Sequence, residues 1–302
     1  MKGDSSWRTL RPPRGRPERG SPWTHLIVVL VLVLCADVAT AWAGLPQEVS
    51  FASLDGTPIK AWVFQPEVPA RGTVVALHGC GGLYATLGSR TGQINARHQA
   101  MADMLVGEGY AVVFPDSLKP RGVSRLCLQK ISERSIDQAA RRSDALAALN
   151  WVAAQPWASA SRIALLGWSH GGSAVLAATD ARQSDVAAQA VRSRVAMAFY
   201  PGCSAARKSG YQPNARLVLL LGALDDWTAP GPCIELGRSV GAEVHVYPES
   251  HHDFDNPLGA VKHLPDVPNG TRPGQGVHAG PNARAREQAY ARVRELLLAA
   301  FD

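Results

Sequence analysis

From residue 74 onward the chain alternates short apolar runs with stretches of helical periodicity, and that rhythm leaves few folds open. The runs lie at 74–77, 111–114, 163–166, 195–200, 217–221 and 244–247. Helical patterns fall between them at 96–106, 134–154, 172–180 and 231–240, and a last one closes the chain at 284–300. Strands this short, apolar throughout and joined by helices, must be covered on both sides. The expected fold is therefore α/β: a mostly parallel sheet with helices on both faces. Ahead of it, alternating runs at 48–54 and 59–64 flank Asp55-Gly56 and predict an antiparallel hairpin. One stretch breaks the rhythm. Residues 253–282 are rich in Pro, Gly and Asn, and a loop of that length in a compact domain is either functional or disordered. No internal repeat is visible, and residues 44–302 read as a single domain.

The residues before that domain differ in composition. Residues 1–43 hold six basic and three acidic side chains, so half of the formal net charge of +6 lies there. The remainder has no basic block and no aromatic-basic motif, which gives no support to a nucleic-acid partner. The basic stretch leads into an apolar run at 26–36 that Asp37 ends. Eleven residues span about 16 Å as a helix, short of the roughly 20 residues that cross a bilayer. Ala41-Trp42-Ala43 then puts small residues at the −3 and −1 positions of a cleavage site before Gly44. Residues 1–43 read as a signal peptide cleaved near Ala43, with an uncleaved anchor as the alternative. The expected location is periplasmic or secreted, without a membrane anchor once the segment is removed. Cys80, Cys127, Cys203 and Cys233 remain after cleavage. Without any Cys-x-x-Cys, zinc-ribbon and thioredoxin-type sites are excluded, and the three possible pairings stay open.

The sharpest local motif is Gly167-Trp168-Ser169-His170-Gly171-Gly172, between the run at 163–166 and a small-residue helix. G-x-S-x-G in a strand–turn–helix setting presents a nucleophilic serine, because the turn excludes side chains at Gly167 and Gly171 and projects Ser169. A structural glycine-rich turn with a capping serine is the competing reading. A serine hydroxyl needs a base and an acid that orients the base. Asp225 and Asp226 follow the run at 217–221, and His251 and His252 follow the run at 244–247. These are strand ends, on the edge where parallel sheets bind ligands. The order Ser, Asp, His is that of α/β-hydrolases. An oxyanion hole needs two donors: the backbone N–H of His170, and one from the loop His78-Gly79-Cys80-Gly81-Gly82 after the first run. Trp168, beside the serine, is a further substrate-binding candidate. A dinucleotide fingerprint would want glycine where Tyr84 stands, and no Walker A sequence occurs, so no cofactor is expected. His251-His252-Asp253 lacks a second cluster at ligand spacing, so no metal is expected either. Asn269-Gly270-Thr271 reads as an accidental glycosylation sequon.

Residues about 70–300 resemble the dienelactone hydrolase family of α/β-hydrolases, in its exported branch. The resemblance rests on HGCGG at 78–82, PDSLKPRG at 115–122, GWSHGG at 167–172, GALDDW at 222–227 and YPESHHDFDNP at 247–257. Motif by motif it implies Ser169 as nucleophile, Asp225 as acid with Asp226 the runner-up, and His252 as base. It implies the N–H of Cys80 as the second oxyanion donor. Arg121 matches a position that holds a substrate carboxylate in the family, with a salt-bridged arginine as the plainer reading. The best-known members carry Cys at the elbow. Ser169 there favours a broader esterase over dienelactone as substrate. The implied activity is hydrolysis of small carboxylic esters or lactones through an acyl-enzyme. Gly-Trp-Ser-x-Gly-Gly also resembles some polyester hydrolases, so an exported polyester- or peptide-cleaving enzyme is the alternative. A non-catalytic binding protein on the same fold is the reading from another class, and the intact triad speaks against it. The resemblance further makes the strands at 74–77 and 111–114 neighbours, and likewise those at 195–200 and 217–221. It thereby predicts disulfides Cys80–Cys127 and Cys203–Cys233, with buried free thiols as the alternative. The segment 253–282 leaves the sheet directly after the base and is expected to border the site's mouth.

Overall fold

The computed structural model describes residues 45–86 and 88–302; the signal segment expected at 1–43 lies outside them. The described chain builds an eight-stranded sheet in the order β1-β2-β4-β3-β5-β6-β7-β8. β1 (Gln47–Ala52) and β2 (Pro58–Phe64) form the expected antiparallel hairpin. β2 also pairs antiparallel with β4 (Ala111–Asp116). β3 (Thr73–Leu77), β4, β5 (Ile163–Trp168), β6 (Val195–Phe199), β7 (Arg216–Gly222) and β8 (Glu243–Tyr247) run parallel. Each apolar run of the sequence is thus a strand.

Seven α-helices occur among the described residues. They are α1 (Ala96–Gly107), α2 (Gln138–Ala153), α3 (His170–Thr179), α4 (Ser184–Ala187), α5 (Ser204–Ser209), α6 (Pro230–Val240) and α7 (Ala283–Phe301). α2 begins four residues later than its pattern predicts because the Asp137 carboxylate caps it, accepting from Ala139 N at 2.9 Å and Ala140 N at 3.0 Å. α4 and α5 are too short to leave a periodic signal. No described helix is long and apolar enough to cross a membrane.

Alternate strand residues face opposite layers. Val74, Ala76, Leu166, Met197 and Leu220 share a core with α1 and α7, through Met101, Leu105, Val293 and Leu297. Val75, Leu77, Leu165, Ala198 and Leu219 share another with α2, α3 and α6, through Leu149, Val175 and Leu236. Double-sided coverage explains why the strands read as unbroken apolar runs.

The connections leave β3 and β5 in opposite directions, so the switch point lies between these two neighbours, and ligands bind outside the carboxyl ends of strands at such a point. Two disulfides, Cys80–Cys127 and Cys203–Cys233, each with a Cα separation of 5.0 Å, tie loops together at this edge. The predicted pairing is the one present, and the strands it was drawn from are neighbours: β3 with β4, and β6 with β7.

The segment 253–282 is not wholly irregular. β9 (Lys262–Leu264) and β10 (Val277–Ala279) form an antiparallel pair apart from the main sheet. Strands of three residues have no room for an alternating pattern, which is why the sequence reads only as loop. Gly276 is required there: its φ is 70°, and a Cβ would overlap the Leu264 carbonyl. β10 continues to the backbone of His252, whose carbonyl accepts from Gly280 N at 2.9 Å.

Candidate active site

Ser169 sits on the turn between β5 and α3 with φ 54° and ψ −116°, a strained conformation for a residue with a Cβ. The turn closes because Gly167 and Gly171 lack side chains. A Cβ at Gly167 would overlap the Gly171 carbonyl, and one at Gly171 would overlap the Leu77 carbonyl. Ser169 N donates to Phe199 O at 2.9 Å, anchoring the turn to β6. The serine faces a cavity of ≈ 530 Å³ whose walls include Cys80, Arg134, His170, Trp227 and Asn269.

His252 is buried, and its Nδ1 lies 2.8 Å from Asp225 Oδ2. Asp225 is held from the other side: Oδ1 accepts from Trp227 N at 2.9 Å and Thr228 N at 2.8 Å. Thr228 Oγ1 lies 2.9 Å from Oδ2. A carboxylate so placed assigns the imidazole proton to Nδ1 and leaves Nε2 as an acceptor. Among the described residues that Nε2 has no hydrogen-bond partner. The ring packs against Tyr200 and Trp227, at centroid distances of 4.5 and 4.7 Å.

The neighbouring Asp226 turns elsewhere. Its carboxylate accepts from His278 N and pairs with His278 Nδ1, both at 2.7 Å, while its carbonyl accepts from Thr271 N at 2.8 Å. Burial works against ionisation of Asp226, yet the His278 bonds hold its carboxyl below the ordinary range. Asp226 thus fastens the long segment to the loop that carries Asp225.

Cys80 and His170, the residues expected to supply oxyanion donors, both line the serine's cavity. His170 opens α3, where the first N–H groups of a helix have no intrahelical partner. Cys80 lines the same cavity, on the loop after β3. That loop is held by the buried ring of His78, whose Nε2 accepts from Ser117 N at 3.2 Å. Nδ1 therefore carries the proton and donates to Gly79 O at 2.8 Å. Burial, reinforced by the charge of Arg141, keeps this imidazole neutral.

Neither substrate-binding candidate reaches the cavity. Arg121 is committed to Asp144 at 2.8 and 2.9 Å, to Asp55 at 2.8 Å and to Ser117 O at 2.9 Å. Trp168 is fully buried, and its Nε1 donates to Asp255 Oδ2 at 2.7 Å. Asp255 also accepts from Tyr200 OH at 2.5 Å, so Trp168 belongs to a buried polar network beneath the site. The cavity has a cation that sequence reasoning missed. Arg134 lines it, with Nε buried and unpartnered among the described residues, and burial pulls its pKa down. Asp137 also lines the cavity and is occupied in capping α2. No motif marks Arg134, which falls inside a helical pattern. Asn269, which the sequence marks only as part of an accidental sequon, also lines the cavity. Its side chain donates to Gln129 O at 2.8 Å and accepts from Ile131 N at 3.1 Å, clasping two loops at the cavity wall.

The model of the dienelactone hydrolase family matches residues 59–301. No curated protein matches the chain. Solved structures with the same fold include a dienelactone hydrolase-like promiscuous phosphotriesterase from metagenomic libraries. It has a TM-score of 0.62 at 18% identity, covering 86% of this chain and 100% of that one. The dienelactone hydrolase of Anabaena variabilis gives 0.56 at 15% identity, covering 85% and 99%. The acetyl xylan esterase of Paenibacillus sp. R4 gives 0.53 at 18% identity, covering 93% and 96%. At these identities the likeness is one of fold, the α/β-hydrolase fold.

Proposed function

The chain belongs to the dienelactone hydrolase family, and from that premise we propose that it is an exported serine hydrolase of carboxylic esters or lactones. Ser169 Oγ attacks the substrate carbonyl and passes its proton to His252 Nε2. Asp225 keeps the imidazole in the required tautomer and balances the imidazolium. The oxyanion is received by the N–H groups of Cys80 and His170. On collapse the C–O bond breaks and the alcohol departs with the proton from His252; in a lactone it stays attached to the acyl group. Water then attacks the acyl-enzyme with His252 as base, returning free Ser169 and a carboxylic acid. The observation that carries this reading is the 2.8 Å contact of a buried histidine with a carboxylate, at the edge where a strained serine faces a cavity. Arg134 supports substrates with an anionic group on the part that fills the cavity. The two disulfides support an oxidising compartment, in keeping with export of a chain cleaved near Ala43.

The test is labelling with a fluorophosphonate, followed by a panel of short esters and lactones. Labelling should map to Ser169 and vanish in Ser169→Ala, with turnover lowered by several orders of magnitude and a residual rate from the oxyanion hole. Near-wild-type turnover in Ser169→Ala would overturn the mechanism.

A further inference from the structure

We propose that Arg141 is the positioning residue of the oxyanion hole, an inference that rests on the serine-hydrolase reading. Arg141 lies on α2 and is fully buried. A guanidinium in that setting is costly to desolvate unless its N–H groups find acceptors. Burial lowers its pKa to about 10, so it remains a cation at neutral pH. The nearby carboxylate of Asp144 is already bonded to Arg121 and Ser53. Among the described residues Arg141 has no ion-pair partner of its own.

It donates in two directions instead. Nη2 donates to the carbonyl of His78 at 2.7 Å, and Nη1 lies 3.4 Å from His170 Nδ1. These partners are 92 positions apart by numbering, and each belongs to a segment that carries one oxyanion donor. On one side, Arg141 fixes the His78–Gly79 peptide while the His78 ring fixes the carbonyl of the next peptide, Gly79–Cys80. In a trans peptide the N–H points opposite to the carbonyl. The two bonds together therefore aim the Cys80 N–H. On the other side, Arg141 restrains the ring of His170, whose own N–H is the second donor. One rigid, planar group thus joins the two segments that carry the donors. That group also brings a buried positive charge to the two segments that would receive the oxyanion. Lysine would keep the charge but lacks the planar fork that bonds two separated acceptors at once.

The experiment compares wild type with Arg141→Lys and Arg141→Met in kcat, KM, thermal stability and affinity for an aryl boronic acid. The tetrahedral boronate adduct on Ser169 puts an oxygen in the hole and reports its geometry separately from substrate binding. Arg141→Met is expected to lower kcat about 100-fold, the scale of losing one oxyanion donor, with boronate affinity falling in parallel. KM should stay within about threefold, and Arg141→Lys should be intermediate. Wild-type kcat and boronate affinity in either folded variant overturns the proposal. So does a loss of kcat with boronate affinity unchanged, which would mark a purely structural role. Should Arg141→Met not fold, Arg141→Lys carries the test. If wild type itself takes no fluorophosphonate at Ser169, the hydrolase reading fails and this role with it. Labelled wild type beside fully active variants removes Arg141 alone.

Discussion

Asp225 and Asp226 are chain neighbours with the same chemistry, yet Oδ2 of the first meets His252 and Oδ2 of the second meets His278. Asp225→Asn should lower kcat by about four orders of magnitude, because an amide can hold the wrong imidazole tautomer. Asp226→Asn should cost kcat no more than several-fold, since it only loosens the tie to His278. Steady-state kinetics of the two variants decides the assignment, and a reversed order would reassign the acid. Arg134 makes a different prediction. Arg134→Gln should raise KM for an ester bearing a carboxylate by about tenfold or more, the loss of one charge-assisted bond. An uncharged ester of equal size should be turned over as before. Equal effects on both esters would remove the anion preference.

At the scale of elements, the loop after β3 contributes Cys80 to the cavity wall and the long segment after β8 contributes Asn269, Gly270 and Thr271. Cys80 is covalently tied to Cys127 on the loop after β4, so the disulfide anchors the turn proposed to offer an oxyanion donor. Reduction should remove about 4 kcal/mol of stability in the chain-entropy model for a 47-residue separation. It should also lower kcat before the protein unfolds. Unfolding curves and kinetics on Cys80→Ser/Cys127→Ser check this, and an unchanged kcat would make the bridge purely structural. The clasp of Asn269 on Gln129 and Ile131 joins two segments of the cavity wall. Asn269→Ala should therefore alter relative kcat/KM between short and long acyl groups while the melting temperature changes little. An unaltered preference across the panel would reduce 253–282 to a connector.

For the molecule as a whole, Glu243 is a junction between the sheet edge and the last helix. Its carboxylate meets Arg216 at 3.0 Å, Arg292 of α7 at 2.6 Å and His245 at 2.5 Å. Burial works against ionisation, but these donors win and bring the pKa down to about 2 from an ordinary 4.5. A carboxyl lowered on folding adds stability that is complete above its unfolded value and is lost as pH falls through the folded one. Melting temperature should therefore drop between about pH 4.5 and pH 2. Glu243→Gln should lower stability near neutral pH and flatten that part of the curve. A variant with the wild-type acid profile would assign the loss to other carboxylates, such as Asp55, also lowered to about 2.

Much of this architecture is local and so was legible in the chain itself. A strand buried on both faces must be apolar at every position, and a sharp turn beside Ser169 must have glycine at 167 and 171. These requirements are met within a few residues, which is why the strands, the elbow and the strand-end positions of Asp225 and His252 can be read in order. Side-chain partnership is different, since it depends on segments far apart in sequence packing together. Arg121 and Arg134 look alike as letters. Only the folded chain commits Arg121 to Asp144 and Asp55 and leaves Arg134 at the cavity. Likewise Asp226 finds His278 52 residues away, and Arg141 finds the carbonyl of His78 63 residues away. The chemistry available at the sheet edge is specified by local turns; which charges face the substrate is specified by tertiary packing.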